Sequence, residues 1–218
     1  KGKPFINVLP LDEGETITTV MKLPECEDDC KDMSIMFATS QGNVRRNSLM
    51  DFVNVQSNGK IAMKLDEGDK LINVRICHED NDIMLAARSG KCIRFPVTDV
   101  RVFVGRNSTG VRGIKLAEGD EVISMSILLH SDATSEERDE YARIASAIKR
   151  ISAERGDDSC VSPEDTGLLN VLTTEKYKEM AEREQFILSV TSTGYGKRTS
   201  SYEYRVTGRG GQGIANME

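Results

Sequence analysis

The sequence predicts a mainly β, propeller-like chain with one α-helical hairpin set into it. Three observations predict this. A segment recurs at a spacing of about fifty residues: SNGKIAMKLDEGD (57–69) falls on STGVRGIKLAEGD (108–120) with one constant shift and no gap. A second motif interleaves with the first in FATSQGNVRR (37–46), LAARSGKCIR (85–94) and SVTSTGYGKR (189–198), each with a glycine followed four positions later by a basic residue. The spacing then breaks once, because Gly42 and Gly90 lie 48 residues apart but Gly90 and Gly194 lie 104 apart. Short strands in repeated units of forty to fifty residues are the signature of propeller blades, which bury their faces only by stacking on neighbours.

Within one unit, Ile83 to Ala87 forms an apolar run, Ser89-Gly90 a turn, and Cys92-Ile93-Arg94-Phe95 a second alternating run, which together predict a β-hairpin. The LDEGD stretch predicts a turn at Asp66, Glu67 and Gly68, followed by a strand over Leu71 to Ile76. LPLDEGETI (9–17) carries the same turn, and GGQGI (210–214) matches GVRGI (110–114). Tyr195, Tyr202 and Tyr204 sit near arginines, but Ser201 to Val206 alternates as a strand does, so these read as structural tyrosines.

The long interval holds helices. Thr134 to Glu137, TSEE, has capping-box spacing, and Tyr141, Ile144, Ala145, Ile148 and Ile151 keep one apolar face until Gly156 supplies a stop. A shorter helix is expected over Glu175 to Glu184, after a polar connection that contains Pro163. The predicted organisation is therefore 1–128 as β-blades, 129–185 as helical insert and 186–218 as continuation of the blades.

Composition bounds the partners. With 38% apolar residues among 218 the chain can bury a core, and no apolar run is long enough to span a membrane. The chain opens and stops within its repeat pattern, which reads as a piece of a longer protein. Five cysteines suit free thiols in a reducing cytosol better than a disulfide framework. Cys26 and Cys30 have no Cys or His pair at zinc-site spacing, and their acidic surroundings predict a solvated loop, so no metal is expected. The net charge is −6, yet 129–185 holds 14 acidic and 8 basic residues, which leaves 21 of each in the β-body. Acids cluster in the LDEGD-type turns, whereas Arg45, Arg46, Lys91, Arg94, Arg106, Arg112, Lys197, Arg198, Arg205 and Arg209 attach to the glycine hairpins and the segments after them. Stacked repeats would gather these cations along one edge, the pattern of a polyanion-binding rim.

GNVRRNSLMDF, VGRNSTGVRGIKLAEGDEVISM, TGYGKRTSSYEY and KGKPFINVLPLDEGETI resemble the C-terminal domain of bacterial DNA gyrase A subunits, in that family's order and over nearly all of the chain outside the insert. The resemblance implies a β-pinwheel, a propeller-like disc whose blades exchange strands, here an incomplete one. It implies DNA wrapping in service of ATP-dependent negative supercoiling by a type II topoisomerase. The implied partners are duplex DNA, the rest of the gyrase A subunit, and the gyrase B subunit in an A2B2 complex, in the bacterial cytoplasm with no membrane. The family's first blade carries a basic glycine-rich loop important for wrapping. TGRGGQG (207–213) resembles that loop through Gly208, Arg209, Gly210, Gly211, Gln212 and Gly213, with Gln212 where the family's loop has lysine. Its alternative reading is an ordinary turn between blades, equivalent to STGVRGI.

No catalytic residue is expected in this stretch. The DNA-cleaving tyrosine of the family, and its ATP and Mg²⁺ chemistry, belong to other parts of the assembly. GRGGQG lacks the following Lys-Ser/Thr of a nucleotide-binding loop. Two alternatives stand beside the main reading: the related C-terminal domain of topoisomerase IV, and a protein-interaction propeller whose basic residues form only a solvated rim.

Overall fold

A computed structural model describes residues 2, 4, 9, 11–25, 28–54, 59–105, 107–155 and 161–217. The chain divides into two compact units, 1–128 with 206–218, and 129–205.

The first unit is built of strands β1 (Ser34–Thr39), β2 (Asn43–Ser48), β3 (Leu71–Cys77), β4 (Asn81–Ala87), β5 (Lys91–Pro96), β6 (Val111–Arg112) and β7 (Val122–Leu129). A late strand, β10 (Ile214–Ala215), joins them after the second unit's β8 (Phe186–Val190) and β9 (Gly196–Ser200). They form two four-stranded sheets in the orders β3-β1-β2-β6 and β7-β4-β5-β10. The orders are equivalent: in each, a glycine hairpin supplies the middle strands and later segments supply both outer ones. Register repeats too, with Met36 opposite Arg46 in the first hairpin and Met84 opposite Arg94 in the second.

The middle strands are buried on both faces, which explains why β4 reads as a continuous apolar run. Met36, Ala38 and Val44 of the first hairpin share a core with Ile83, Leu85, Ile93 and Phe95 of the second, closed by Ile114, Val122 and Met125. Ile35, Phe37, Leu49 and Val74 form a second cluster against Met21, Leu23 and Met63. Cys30 is buried in that cluster, contrary to the solvated loop expected there; Cys26 lies outside the described residues. Among the described residues no group of His, Cys, Asp or Glu is arranged to hold a metal ion.

The LDEGD turns act as latches. Asp69 Oδ1 accepts hydrogen bonds from Ser40 Oγ at 2.8 Å and from the Gln41 amide at 2.9 Å. One repeat later, Asp120 accepts from the Ser89 amide at 3.0 Å and the Ser89 hydroxyl at 2.6 Å. Each acidic turn thus fixes the tip of the hairpin that precedes it, and Asp120 is held below the usual carboxylate range, with burial opposing the Ser89 bonds that lower it.

The second unit holds α1 (Ser135–Arg155), α2 (Thr174–Arg183) and the antiparallel pair β8–β9. The capping box forms as the sequence requires: the Thr134 amide donates to Glu137 Oε2 at 2.7 Å, and the Glu137 amide to Thr134 Oγ1 at 3.2 Å. Thr173 caps α2 through the Lys176 amide. The stop expected at Gly156 lies outside the described residues. Tyr141, Ile144, Leu172, Tyr177, Met180 and Tyr202 make one core, with Tyr141 stacked on Tyr177 at 4.9 Å and edge-on to Tyr202 at 5.2 Å. Ser201 to Glu203 is a 3-10 turn rather than the expected strand. It turns Tyr202 inward so that its hydroxyl donates to the Met180 carbonyl at 2.8 Å. The β8–β9 hairpin therefore shares a compact unit with the helices.

Candidate nucleic-acid interface

The ten cations expected at a rim separate into two kinds. Arg45, Arg46 and Arg94 are buried. Arg45 donates from Nε to Asn47 Oδ1 at 2.9 Å and from Nη1 to the Ser108 carbonyl at 2.6 Å, over the Phe103 ring. Burial, then Arg101, lowers its pKa, and Asp51 acts in the opposite direction. Arg46 donates to Ser34 Oγ at 2.9 Å and Glu79 Oε1 at 2.7 Å. Arg94 places Nε and Nη2 each 2.8 Å from Asp82 Oδ2, with side chains 2% and 0% exposed. All three are interior anchors of the sheets, unlike the rim positions expected of them.

The reason is visible in the repeat. Ser34, Asp82 and Phe186 stand twelve residues before Arg46, Arg94 and Arg198, and each lies against its arginine: a hydroxyl, a carboxylate, and a ring 3.4 Å below the guanidinium. The position is one structural slot filled three ways. Only in the third copy is the arginine exposed.

Lys91, Arg112, Lys197, Arg198, Arg205 and Arg209 are exposed. Arg106 lies outside the described residues. Arg209 is held by main chain: its Nε donates to the Asp99 carbonyl at 2.9 Å and its Nη1 to the Arg112 carbonyl at 3.1 Å. The glycine-rich loop around it docks on the 110–115 turn, with the Gly210 amide donating to the Gly113 carbonyl at 2.6 Å and the Lys115 amide to the Gly211 carbonyl at 2.8 Å. Gly208, Gly211 and Gln212 are exposed, and Gly210 and Gly213 half-buried.

The loop's place in the repeat differs from the sequence match by three residues. Gly110 and Gly213 both have positive φ, +92° and +74°, and both press on a strand carbonyl, those of Val44 and Cys92, where a side chain would clash. The amides of Gly113 and Ile114 donate to the Gly42 carbonyl, and those of Asn216 and Met217 to the Gly90 carbonyl. GVRGI (110–114) therefore corresponds to GIANM (213–217), not to GGQGI. GRGGQG (208–213) stands where GRNSTG (105–110) stands one repeat earlier, so Arg209 corresponds in sequence to Arg106.

Two exposed cations were missed. Lys115 sits beside the glycine loop, and Arg101 lies 4.3 Å from the Phe103 ring. The Phe103 amide donates to the Arg46 carbonyl and the Thr207 amide to the Arg94 carbonyl, each at 2.8 Å. These bonds set Val100-Arg101-Val102 and Tyr204-Arg205-Val206 at the same repeat position. That V/Y-R-V recurrence was the available signal. Main-chain bonds thus bring Arg112, Lys115 and Arg209 to one stretch of the first unit, with Arg101 two residues beyond Asp99.

A family model described as DNA gyrase C-terminal domain, beta-propeller, matches residues 34–78, 81–128 and 185–218. The whole chain aligns with the DNA gyrase A subunit of Rickettsia bellii at 52% identity and with that of Granulibacter bethesdensis at 51%, spanning 24% of each. It aligns with the DNA gyrase A subunit of Escherichia coli at 33%, spanning 18% of it. The chain therefore covers a quarter or less of these relatives. Among solved structures, the C-terminal domain of DNA topoisomerase IV superposes with a TM-score of 0.66 at 18% identity, over 98% of this chain and 49% of that one. A DNA gyrase A C-terminal domain superposes with a TM-score of 0.63 at 20% identity, over 98% and 52%. These two likenesses establish the fold.

Proposed function

The chain belongs to the DNA gyrase C-terminal domain family, and from that premise we propose that it is part of the surface on which gyrase binds and bends duplex DNA. The observation that carries this reading is how Arg209 is held. Its guanidinium is oriented by two carbonyls and pairs with no carboxylate among the described residues, only its amide meeting Asp99 Oδ2 at 3.4 Å, whereas Asp82 neutralises Arg94. A cation held this way is ready for a phosphate. Arg112 and Lys115 add charge beside it, and Gly208 and Gly211 leave backbone open to close approach.

Such a surface works through the phosphate backbone. Each phosphate neutralised releases condensed counterion, and the sum offsets the elastic cost of bending, about 1–6 kcal/mol for a 20–30 base-pair segment. Shape is read rather than sequence. In the parent protein the bent duplex would be presented to the strand-passing machinery of a type II topoisomerase, in a complex with the gyrase B subunit. ATP, Mg²⁺ and the DNA-cleaving residue are assigned to other parts of that assembly. Relatives at 51–52% identity named as gyrase favour gyrase over topoisomerase IV.

The test is duplex binding across a salt series, with end-to-end fluorescence transfer on about 40 base pairs as the bend readout. Affinity should fall steeply with salt and the ends should draw together, and Arg209→Ala should lower the log–log salt slope by about 1. No duplex binding at low salt would refute the proposal and favour an interaction scaffold.

A further inference from the structure

The tip of the β8–β9 hairpin presents a group that the cation pattern does not account for. Tyr195 is 75% exposed. It follows the hairpin glycine, the position held by Asn43 in the first copy and by the exposed Lys91 in the second. An aromatic ring therefore stands where the second copy has a solvent-facing cation.

The turn beneath it is firmly built. The Thr191 amide donates to the Tyr195 carbonyl at 2.8 Å, and the Tyr195 amide to Thr191 Oγ1 at 3.1 Å. That hydroxyl also meets Thr193 Oγ1 at 2.9 Å, and the Gly194 amide closes on the Thr191 carbonyl at 3.0 Å. Main chain is fixed while the ring stands in solvent. Gly194, at φ +89°, and Gly196 flank it, and a side chain added at either would meet no atom closer than 3.9 Å. The backbone on either side of the exposed ring is uncrowded.

Lys197 follows two residues later, in phase with Tyr195 along the strand, and Arg198 lies on the opposite face over Phe186. Both cations are exposed, and neither is paired with a carboxylate among the described residues. An unpacked aromatic beside an unneutralised cation suits nucleic acid, where rings pack on sugars and bases while cations meet phosphates.

We propose that Tyr195 is a duplex-contact residue, its ring packing against deoxyribose of the DNA backbone while Lys197 meets an adjacent phosphate. This rests on the DNA-binding reading above and adds an uncharged contact to it. The two kinds of contact separate experimentally, because an apolar contact releases no counterion. Tyr195→Ala should weaken duplex affinity roughly fivefold or more at fixed salt and leave the salt slope unchanged. Lys197→Ala should lower that slope by about 1. Tyr195→Phe should bind as the parent does, since the ring and not the hydroxyl makes the contact. The chain has no tryptophan, so Tyr195→Trp gives a single emitter whose fluorescence should change on titration with duplex. Parent-like affinity of Tyr195→Ala, or Trp emission that stays constant while anisotropy of labelled DNA reports binding, overturns the proposal. Failure of the parent chain to bind duplex at low salt overturns the underlying reading, and this one with it.

Discussion

Replacing Asp82 by alanine should be among the most damaging single changes in the first unit. Asp82 is wholly buried, and its Oδ2 receives both Nε and Nη2 of Arg94 at 2.8 Å. Arg94 cannot be neutralised and has no solvent to turn to, so the substitution leaves a buried charge without its counter-ion, a loss of about 3–5 kcal/mol. With a urea dependence of about 2 kcal/mol per molar, the unfolding midpoint should fall by roughly 1.5–2.5 M. The repeat supplies its own control. Arg46 fills the same slot, but its carboxylate partner Glu79 is 71% exposed, and Glu79→Ala should cost about 0–1 kcal/mol because water already screens that pair. Replacing both partners, Asp82→Leu with Arg94→Met, should recover most of the stability, since no charge is left stranded. Urea denaturation of the four proteins, followed by circular dichroism, decides the matter. A fall under about 1 kcal/mol for Asp82→Ala, or equal losses for Asp82→Ala and Glu79→Ala, would refute the argument from burial.

Three further outcomes follow. Glu140 of α1 accepts the amides of Asn170, Val171 and Leu172 at 2.7–3.1 Å, which together hold its carboxyl below the usual range. A lowered folded-state pKa contributes stability that is present above the unfolded value, near 4.3, and is lost as pH falls through the folded one. Amide shifts of 170–172 should therefore titrate with a midpoint under about 4.3 and not at all in that range in Glu140→Gln. Burial pushes the Cys77 thiol up to about 11, so iodoacetamide should leave Cys77 unmodified in native protein at neutral pH and label it in urea. Deleting 129–185 removes Tyr141, Tyr177 and Met180 from around Tyr202, so loss of native amide shifts across β8–β9 is expected, and their persistence would count against the shared core.

Sequence carried the hairpins and helices well because each is local. The glycine turn, the apolar alternation and the TSEE box act over a few residues, and the capping box forms the two hydrogen bonds its spacing implies. Outer strands were less legible: β6 and β10 have two residues each, too short for any periodicity, and only their backbone bonds place them. The site was misread where burial decides. A basic residue after a hairpin glycine looks identical whether it enters the core or the solvent. Arg46 and Arg94 are distinguished by what stands twelve residues earlier, a cross-strand relation that one-dimensional charge counting does not register. The loop at Arg209 was placed three residues out because its glycines imitate those of the next segment, and only the Gly110 and Gly213 contacts fix the register.

Donation of outer strands by later segments also sets an order of events on the ribosome. β2 ends at Ser48 but waits for β6 at Val111, and β5 ends at Pro96 but waits for β10 at Ile214. At about 5–20 residues per second the second wait lasts roughly 6–24 s, during which the free edge of β5 is open to wrong partners. Most of that interval is spent making 129–205, a segment that has its own core and can bury its apolar surface as it emerges. Its early closure draws in the long chain between β5 and β10, so the last strand arrives across a compact body rather than an extended loop.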